Sequence, residues 1–261
     1  MTSASTPTST APLALLAVDG PIARITLNRA ESRNALSPEL LAALHGVIDE
    51  LHARCKAEPI SVAVITGAGK AFCAGMDLKL VLGNATLAEE LLLSLALFTH
   101  KLRLLPAITY AVVNGAAIGG GCGLATVCDL GITHADSKMG FPEVDLGVCP
   151  AVVAPWLTRK IGVGPARRVL LSGGLMSGID AHACGIVTEL VQTAADLVAT
   201  SEVTIARLAQ SSPDALRATK ALLNELDGSL DEAILRKAAA VSAAVLNTEQ
   251  TQVLLRKKMG M

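Results

Sequence analysis

The apolar positions of this chain switch between the period of a strand and the period of a helix along its first two thirds. Residues 13–18 and 22–27 are rich in apolar side chains and flank the turn-forming sequence Asp19-Gly20-Pro21. Two short apolar segments around such a turn predict a β-hairpin.

A helix is predicted directly after this hairpin region. Ser37 can cap its amino terminus, and Pro38 suits the first helical position, where the missing N–H would have no partner. Apolar residues then recur at helical spacing, at Leu40, Leu41, Leu44, Val47, Ile48 and Leu51. Residues 60–65 are instead rich in β-branched residues without polar alternation, which is typical of a strand covered on both faces.

A parallel sheet with helical crossovers accounts for the next part of the pattern. Further strand-like segments occupy residues 108–113, 130–133 and 186–191, and helical patterns separate them. After residue 193 the pattern is almost wholly helical, with helices expected over residues 194–210, 214–226 and 231–247. We therefore expect a core over residues 13–193 that continues into a helical region over residues 194–261.

Residues 1–12 are small and polar and contain proline, without a positive charge, so we expect a disordered tail and neither a secretory signal nor an organelle transit sequence. Residues 104–128 carry no charged side chain and reach about the length of a membrane span. Pro106, Asn114 and the glycines interrupt this stretch, which favours a buried strand, a turn and a buried helix.

Charge and cysteine usage exclude several classes of protein. The 22 Lys and Arg residues nearly balance 23 Asp and Glu residues, which leaves no general attraction to nucleic acid or to an anionic membrane. The six cysteines lack the spacing of zinc sites or redox motifs. We interpret them as reduced thiols of a cytoplasmic protein, without a metal site.

Two glycine-bearing segments, residues 71–77 and 114–122, supply the chemistry that the sequence predicts. The second segment follows the strand pattern at 107–113 and opens an apolar helical stretch. The free N–H groups at the start of such a helix can stabilise negative charge that develops on an oxygen. Tight helix–strand packing is the alternative explanation for the glycines at 119–121.

These motifs together resemble the enoyl-CoA hydratase/isomerase (crotonase) family over about residues 13–256. The resemblance is carried, in order, by residues 28–36, 71–77, 114–122, 128–129, 140–143 and 146–150. It implies an α/β fold of the crotonase type, a spiral of strand-strand-helix units with a C-terminal helical oligomerisation region. It also implies a homo-oligomer, either a trimer or a dimer of trimers.

The resemblance implies an acyl-CoA thioester as substrate. Its carbonyl would receive hydrogen bonds from the backbone amides of Met76 and Gly120 while an enolate forms. Glu143 matches the family's catalytic glutamate, and its apolar sequence neighbours could raise the pKa of its carboxyl by burial. A glutamate stabilised by a helix amino terminus is the alternative for Glu143.

The resemblance also places CoA contacts, and CoA enters as part of the substrate, so that no separate cofactor is expected. Arg29, Arg33 and Lys70 are candidates for phosphate or ribose contacts, and backbone groups near Ala35 and Ala74 would line the adenine. Ordinary surface charge is an equally good explanation for each of the three cations. Neither the phosphate-loop pattern nor the dinucleotide-binding glycine pattern is present, which disfavours ATP and NAD.

One position departs from the family's hydratase pattern, because Gly123 stands where a second glutamate is usual. A single carboxyl favours an isomerase, which needs one base to remove and return a proton. Residues 146–155, however, resemble a bacterial methylglutaconyl-CoA hydratase-like branch with the same glycine, so that hydration of a 2-enoyl-CoA is slightly preferred. A non-catalytic acyl-CoA-binding protein is the third possibility.

Other residues near these motifs are weaker candidates for the site. Asp77 and Asp145 could assist Glu143, although each is more readily explained as an ion-pair or capping residue. Four apolar residues could shape the acyl pocket or belong to the core, namely Met76, Leu78, Trp156 and Leu157.

Overall fold

The structure is a computed structural model that describes residues 11–260. Residues 1–10, which make up most of the predicted tail, lie outside the described residues. The elements are, in chain order, β1 (Ala14–Asp19), β2 (Ile22–Leu27), α1 (Pro38–Ala57), β3 (Val62–Gly67), β4 (Ala71–Cys73), α2 (Leu78–Val81), α3 (Ala85–Arg103), β5 (Ile108–Val113), β6 (Ala116–Ile118), α4 (Gly120–Val127), β7 (Leu130–His134), β8 (Lys138–Gly140), α5 (Ala154–Ile161), α6 (Val163–Ser172), β9 (Leu175–Ser177), α7 (Gly178–Ala183), β10 (Glu189–Val191), α8 (Asp196–Ala209), α9 (Pro213–Leu226), α10 (Glu232–Leu246) and α11 (Glu249–Lys258).

The central sheet has six strands in the order β1-β2-β3-β5-β7-β10. The predicted hairpin is confirmed, since β1 pairs antiparallel with β2 and Ala14 lies opposite Leu27. From β2 to β10 the neighbours are parallel, as the continuous apolar runs predict. The predicted strand over residues 186–191 is too long, because the Ile186 amide donates to the Ala181 carbonyl and the strand begins at Glu189.

Both faces of this sheet are covered. Alternate side chains of β3, such as Ala63 and Ile65, join the main core that includes α1 and α3. The other set, including Val62 and Val64, packs against Leu197 of α8. Two-sided burial explains why residues 60–65 show no polar alternation.

A second sheet of four short strands, in the order β4-β6-β8-β9, was not predicted from the sequence. Each strand has three residues, which is too short to produce a periodic pattern. The first three strands run parallel and bring the two glycine segments side by side. This small sheet therefore positions the candidate site.

The C-terminal region is helical, as predicted, and extends to α11, which the sequence pattern did not indicate. Helix α10 packs along α3, and α8 covers the second face of the central sheet. None of the helices within residues 11–260 combines the length and the hydropathy that a membrane span needs.

Candidate active site

The first wall of the site is the chain from Gly75 to Asp77, which a parallel bridge fixes next to Leu36. The Leu36 amide donates to the Gly75 carbonyl at 2.8 Å, and the Asp77 amide donates to the Leu36 carbonyl at 3.0 Å. The Met76 amide lies between these bonds and donates to no backbone carbonyl of residues 11–260. It is free to bind a ligand oxygen.

The second wall is the start of α4. The Gly119 amide donates to the Gly140 carbonyl at 2.8 Å, and Gly120 is the first residue of the helix. Its amide has no backbone acceptor within the described part of the chain, as expected for a helix amino terminus. The start of α4 therefore presents a free donor and the positive end of a helix dipole.

The two walls are in direct contact at Gly75, whose φ is 86°. A β-carbon at this position would lie 2.5 Å from the Ile118 carbonyl oxygen and 3.5 Å from the Gly120 nitrogen. A β-carbon on Gly120 would in turn lie 4.0 Å from the Met76 nitrogen. The glycines thus let the two free amides lie close together, as an oxyanion hole would require.

Asn34 holds this arrangement from behind. Its side chain is fully buried, and its Nδ2 contacts the carbonyl oxygens of Ala68, Ala71 and Phe72 at 3.0, 2.9 and 3.2 Å. Asn34 has a φ of 56°, a left-handed conformation that asparagine tolerates better than most residues. The amide of Asn34 therefore fixes the segment that leads into β4.

The carboxyl of Glu143 lies beside the start of α4. A β-carbon on Gly119 would lie 2.9 Å from Glu143 Oε1, so that glycine at 119 is needed for the carboxyl to reach this place. Oε2 is buried and has no hydrogen-bond partner among residues 11–260. Burial raises the pKa of Glu143 to about 7, against a lowering contribution from a backbone hydrogen bond.

Gly123, where a second glutamate would stand, faces Val153. A β-carbon on Gly123 would lie 2.5 Å from Val153 Cγ1 and 3.3 Å from Val153 Cβ. The isopropyl group therefore fills the space that any side chain at position 123 would need. Among the described residues, Glu143 is the one carboxylate that lines the cavity between the two walls.

The cavity between the two walls has a volume of about 90 Å³ and is mainly apolar. Met76 and Leu78 line it, as the sequence indicated. Trp156 and Leu157 do not, because both are buried in the core, where Trp156 Nε1 donates to Thr99 Oγ1 at 3.0 Å. Trp156 and Leu157 are therefore core residues, which was the alternative to a place in the acyl pocket.

The candidate CoA residues do not form one cluster of free cations. The Arg29 guanidinium donates through Nη1 to Asp77 Oδ2 and to the Ala35 carbonyl, both at 2.9 Å. Arg29, Ala35 and Asp77 therefore brace the first wall of the site internally. Arg33 and Lys70 are exposed, and neither forms an ion pair with another residue between 11 and 260.

Ala74 lies at the cavity, and its amide donates to the Arg33 carbonyl at 3.0 Å. Asp145 is oriented away from an auxiliary role, because its Oδ2 accepts a hydrogen bond from the Gly174 amide at 2.8 Å. Both acidic candidates, Asp77 and Asp145, thus hold backbone or side-chain partners, as their alternative explanation predicted.

Sequence reasoning missed lining residues from distant helices, namely Leu92 and Leu95 of α3 and Ser242 of α10. Ser242 Oγ donates to the Cys149 carbonyl at 2.8 Å and accepts from the Ala151 amide at 3.2 Å. It ties α10 to the loop that follows Glu143. The sequence signal for Ser242 was a single serine within an alanine-rich helical pattern.

Comparison with known proteins identifies the family of this chain. The enoyl-CoA hydratase/isomerase family profile matches residues 18–260. A Thermus thermophilus protein named as an enoyl-CoA hydratase is 37% identical over 234 residues, which are 88% of this chain and 90% of the relative. The 2,3-dehydroadipyl-CoA hydratase of Escherichia coli is 34% identical over 203 residues, which cover 77% of each chain.

The crystal structure of an enoyl-CoA hydratase from Mycobacterium avium superposes with a TM-score of 0.85 at 25% identity, covering 96% of this chain and 97% of the other. This similarity confirms the predicted α/β fold of the crotonase type. The chain belongs to the enoyl-CoA hydratase/isomerase family and is an enzyme of that family.

Proposed function

We propose that this enzyme adds water to a 2-enoyl-CoA, with Glu143 as the acid/base and with the thioester oxygen held by the amides of Met76 and Gly120. The observation that carries the proposal is the convergence of two free amides and one buried carboxyl on a single apolar cavity. Charge that develops on the thioester oxygen would meet donors that are already oriented.

One carboxyl can serve both steps of hydration. With a pKa of about 7, Glu143 is present in both protonation states near neutral pH. The ionised form can take a proton from water as its oxygen attacks C3, and the resulting acid can return a proton to C2 of the enolate. The names of the similar proteins from T. thermophilus and E. coli, both hydratases, support this reaction.

The cavity favours a short, uncharged acyl group, either straight or branched. Its volume of about 90 Å³ is below the ~150 Å³ of a cavity that holds benzene. No Lys, Arg or His side chain of residues 11–260 lines it. The second carboxylate of a methylglutaconyl group would therefore be buried without a partner, which is costly, so that methylglutaconyl-CoA is the less favoured branched substrate.

Isomerisation of a 3-enoyl-CoA to a 2-enoyl-CoA is the second candidate. Val153 leaves no space for another carboxylate at position 123, and an isomerase needs one base to remove a proton and return it elsewhere. Incubation of crotonyl-CoA, methylglutaconyl-CoA and 3-hexenoyl-CoA in deuterated water, followed by mass spectrometry, separates the reactions. We expect a deuterated 3-hydroxyacyl product from crotonyl-CoA; deuterium exchange and double-bond migration without hydration would establish the isomerase instead.

Glu143→Gln tests the catalytic assignment. We expect kcat for crotonyl-CoA to fall by at least about 10³-fold, because the amide cannot exchange the proton, while the Kd for butyryl-CoA stays within about threefold. Asp145→Asn is the control and should retain most of the activity. Full turnover by Glu143→Gln would overturn the assignment.

Arg33 and Lys70 are proposed as the CoA phosphate contacts, and Arg29 as a residue that braces the site. Alanine at Arg33 or Lys70 should raise KM without changing kcat, because phosphate contacts are the same in ground and transition states. Alanine at Arg29 should lower kcat, since it frees Asp77 and the Ala35 carbonyl. Unchanged KM in both surface variants would exclude them as contacts.

A homo-oligomer, a trimer or a dimer of trimers, is also proposed. Helix α9 and the loop after it expose large apolar residues at Leu222, Leu226 and Leu230, which are 56%, 73% and 54% accessible in the single chain. Such exposed apolar surface is typical of a contact face. Light scattering after size exclusion should give three or six times the mass of 26.8 kDa, and a monomer would contradict the proposal.

A further inference from the structure

A second cavity, larger than the glycine site, lies at the opposite end of the central sheet. It has a volume of about 480 Å³, within the usual range of small-molecule sites of ~300–1,000 Å³. The beginnings of β5 and β7 line it together with α5 and α9. The glycine site lies beyond the carboxyl ends of the same parallel strands, so the two cavities are separate.

Cations predominate among the charged side chains that line this second cavity. Four cations line it, namely Arg103, Arg159, Lys160 and Lys220. Asp129 accepts from Lys220 Nζ at 2.7 Å and lies 3.3 Å from Arg103 Nη1, and Asp227 lies 2.7 Å from Arg103 Nη2. Arg103 and Lys220 are therefore compensated by carboxylates.

Lys160 and Arg159 have no carboxylate within ion-pair distance in the described part of the chain. Lys160 Nζ donates to the carbonyls of Cys128 and Asp129, at 2.6 and 2.9 Å, at the end of α4. Arg159 donates to the carbonyls of Asp227 and Gly228, at 3.0 and 2.7 Å, at the end of α9. The ends of two helices replace the missing carboxylates.

A helix carboxyl end carries only about half a negative charge. Carboxylates beyond ion-pair distance compensate the two cations further, because the charge of Asp129 acts on Lys160 and the charges of Asp227 and Asp231 act on Arg159. Neither cation has a carboxylate in direct contact within the described residues. Burial lowers the pKa of Lys160 to about 8, although the charge of Asp129 acts in the opposite direction.

The rest of the cavity wall is apolar and is formed by Ile108, Leu130, Leu208, Leu216 and Leu223. Two buried polar atoms of lining residues, Arg159 Nη1 and Asn224 Oδ1, have no partner among residues 11–260. A ligand for this space would combine one negative charge with an apolar body.

We propose that the cavity between α5 and α9 is a binding site for a monocarboxylate with a hydrocarbon chain, whose carboxylate meets Lys160 and whose chain lies along Leu208, Leu216 and Leu223. A single carboxylate would give Lys160 the direct ion-pair partner that it lacks, and a chain of about eight carbons suits the volume. The ligand would join α9 to α5 and thereby stabilise the C-terminal helices on the sheet.

Calorimetric titration of the full chain with octanoate tests the site, with 1-octanol as the neutral match and octyl phosphate as the dianion. In a parallel titration the active site is saturated with butyryl-CoA, so that any octanoate that binds in the acyl pocket is displaced and can be distinguished. We expect octanoate to bind at least about tenfold more tightly than 1-octanol, with an affinity that butyryl-CoA leaves unchanged.

Two variants and one control variant locate the binding. Lys160→Met should weaken octanoate at least about tenfold while leaving 1-octanol unchanged, because a charge-assisted hydrogen bond is lost. Thr219→Trp, on the cavity side of α9, should block both ligands, whereas Ala221→Trp, an exposed position of α9 that does not line the cavity, should block neither.

The proposal fails if octanoate does not bind, if it binds no better than 1-octanol, or if butyryl-CoA displaces it. It also fails if Thr219→Trp leaves octanoate binding intact, which tests the site even where Lys160→Met does not fold. A crystal grown with octanoate should show its carboxylate at Lys160 Nζ, and a side chain of a second copy in that place would overturn the assignment.

Discussion

Glu143 is the residue in which the demands of catalysis and of stability differ most clearly. Its pKa is raised from 4.5 to about 7, because burial disfavours the ionised form. The folded protein therefore keeps this proton to higher pH than the unfolded chain does. The contribution to stability is unfavourable above the unfolded value, grows as the pH rises from 4.5 to about 7, and then levels off at about 3 kcal/mol.

Glu143→Gln should consequently stabilise the protein at pH 8 by up to about 3 kcal/mol and change it little at pH 4.5, since glutamine resembles the protonated carboxyl. Urea unfolding of both proteins at the two pH values measures this difference. The exposed Glu89→Gln serves as control and should give no pH-dependent gain. An equal effect of Glu143→Gln at both pH values would show that the carboxyl is not buried as described.

Gly119 is the second residue at which the site constrains the chain, and Gly20 provides a matched control. Both have a φ of 54°, but a β-carbon would meet Glu143 Oε1 at 2.9 Å at position 119 and no atom within 4 Å at position 20. Alanine should cost about 1–3 kcal/mol of backbone strain at position 119, whose ψ of −122° lies outside the left-handed helical region, so that Gly20 matches Gly119 in φ alone. Gly119→Ala alone should displace the carboxyl and reduce kcat/KM by at least about 10²-fold, as steady-state kinetics would show; equal activities of the two variants would contradict this placement.

At the scale of elements, the contact between α4 and the start of α5 decides how many carboxylates the site holds. Gly123→Ala should destabilise the protein by about 1–3 kcal/mol, because its β-carbon would lie 2.5 Å from Val153 Cγ1. Val153→Ala removes that methyl group, so the double variant should be more stable than the sum of the two single changes predicts. Urea unfolding of the four proteins in this cycle should give a favourable coupling of at least about 0.5 kcal/mol, and additive effects would exclude the contact.

The longer elements were predictable because each carries its own pattern. Strand β5 occupies residues 108–113 as expected, and α1 begins at Pro38 after its Ser37 cap, whose Oγ accepts from the Leu40 amide. Strand β6 fell within an expected turn, because a strand of three residues is defined by its partners rather than by periodicity. Pairing information of this kind is not contained in any local window of the sequence.

The same distinction applies to the site. Gly119 and Gly120 could be recognised from the sequence, because a site built from backbone amides needs glycine where chain segments approach closely. The bond of Arg29 to Asp77 joins positions 48 apart, and the contact of Val153 with Gly123 joins two different helical regions, so neither could be predicted from spacing. The partners of Arg29 are the reason that we propose it as a bracing residue, and its contact with CoA stays a prediction.

At the scale of the whole molecule, a buried ion network joins α9 to the rest of the protein. Asp129 Oδ2 accepts from Lys220 Nζ of α9 at 2.7 Å and from the Thr109 amide of β5 at 2.8 Å. Burial acts to raise the pKa of Asp129, but the ammonium of Lys220 and the hydrogen bonds outweigh it and lower the pKa below 3.8. The carboxylate of Asp129 therefore contributes stability above about pH 4, which is lost as the pH falls through the lowered value. Burial also lowers the pKa of Lys220, so the cost of burying its ammonium opposes part of that gain.

The pair of Lys101 and Asp49 offers a comparison at the same distance, since its Nζ and Oδ1 also lie 2.7 Å apart, but 40% and 57% of these side chains are exposed. Asp49→Asn should change stability by less than about 1 kcal/mol, because water screens an exposed pair. Asp129→Asn should cost about 3–5 kcal/mol, since it leaves the ammonium of Lys220 buried without its counter-charge. Urea unfolding at pH 7 measures both.

Lys220→Met separates the free-energy cost of losing the ion pair from the cost of burying an unpaired ammonium. In the Asp129→Asn background it should restore stability, because the double variant buries no uncompensated ammonium on α9. Equal costs for Asp49→Asn and Asp129→Asn, or no recovery on adding Lys220→Met, would show that α9 is held to the sheet by its apolar contacts alone. Recovery would instead establish that charge balance at the amino ends of β5 and β7 governs whether the C-terminal helices stay in place.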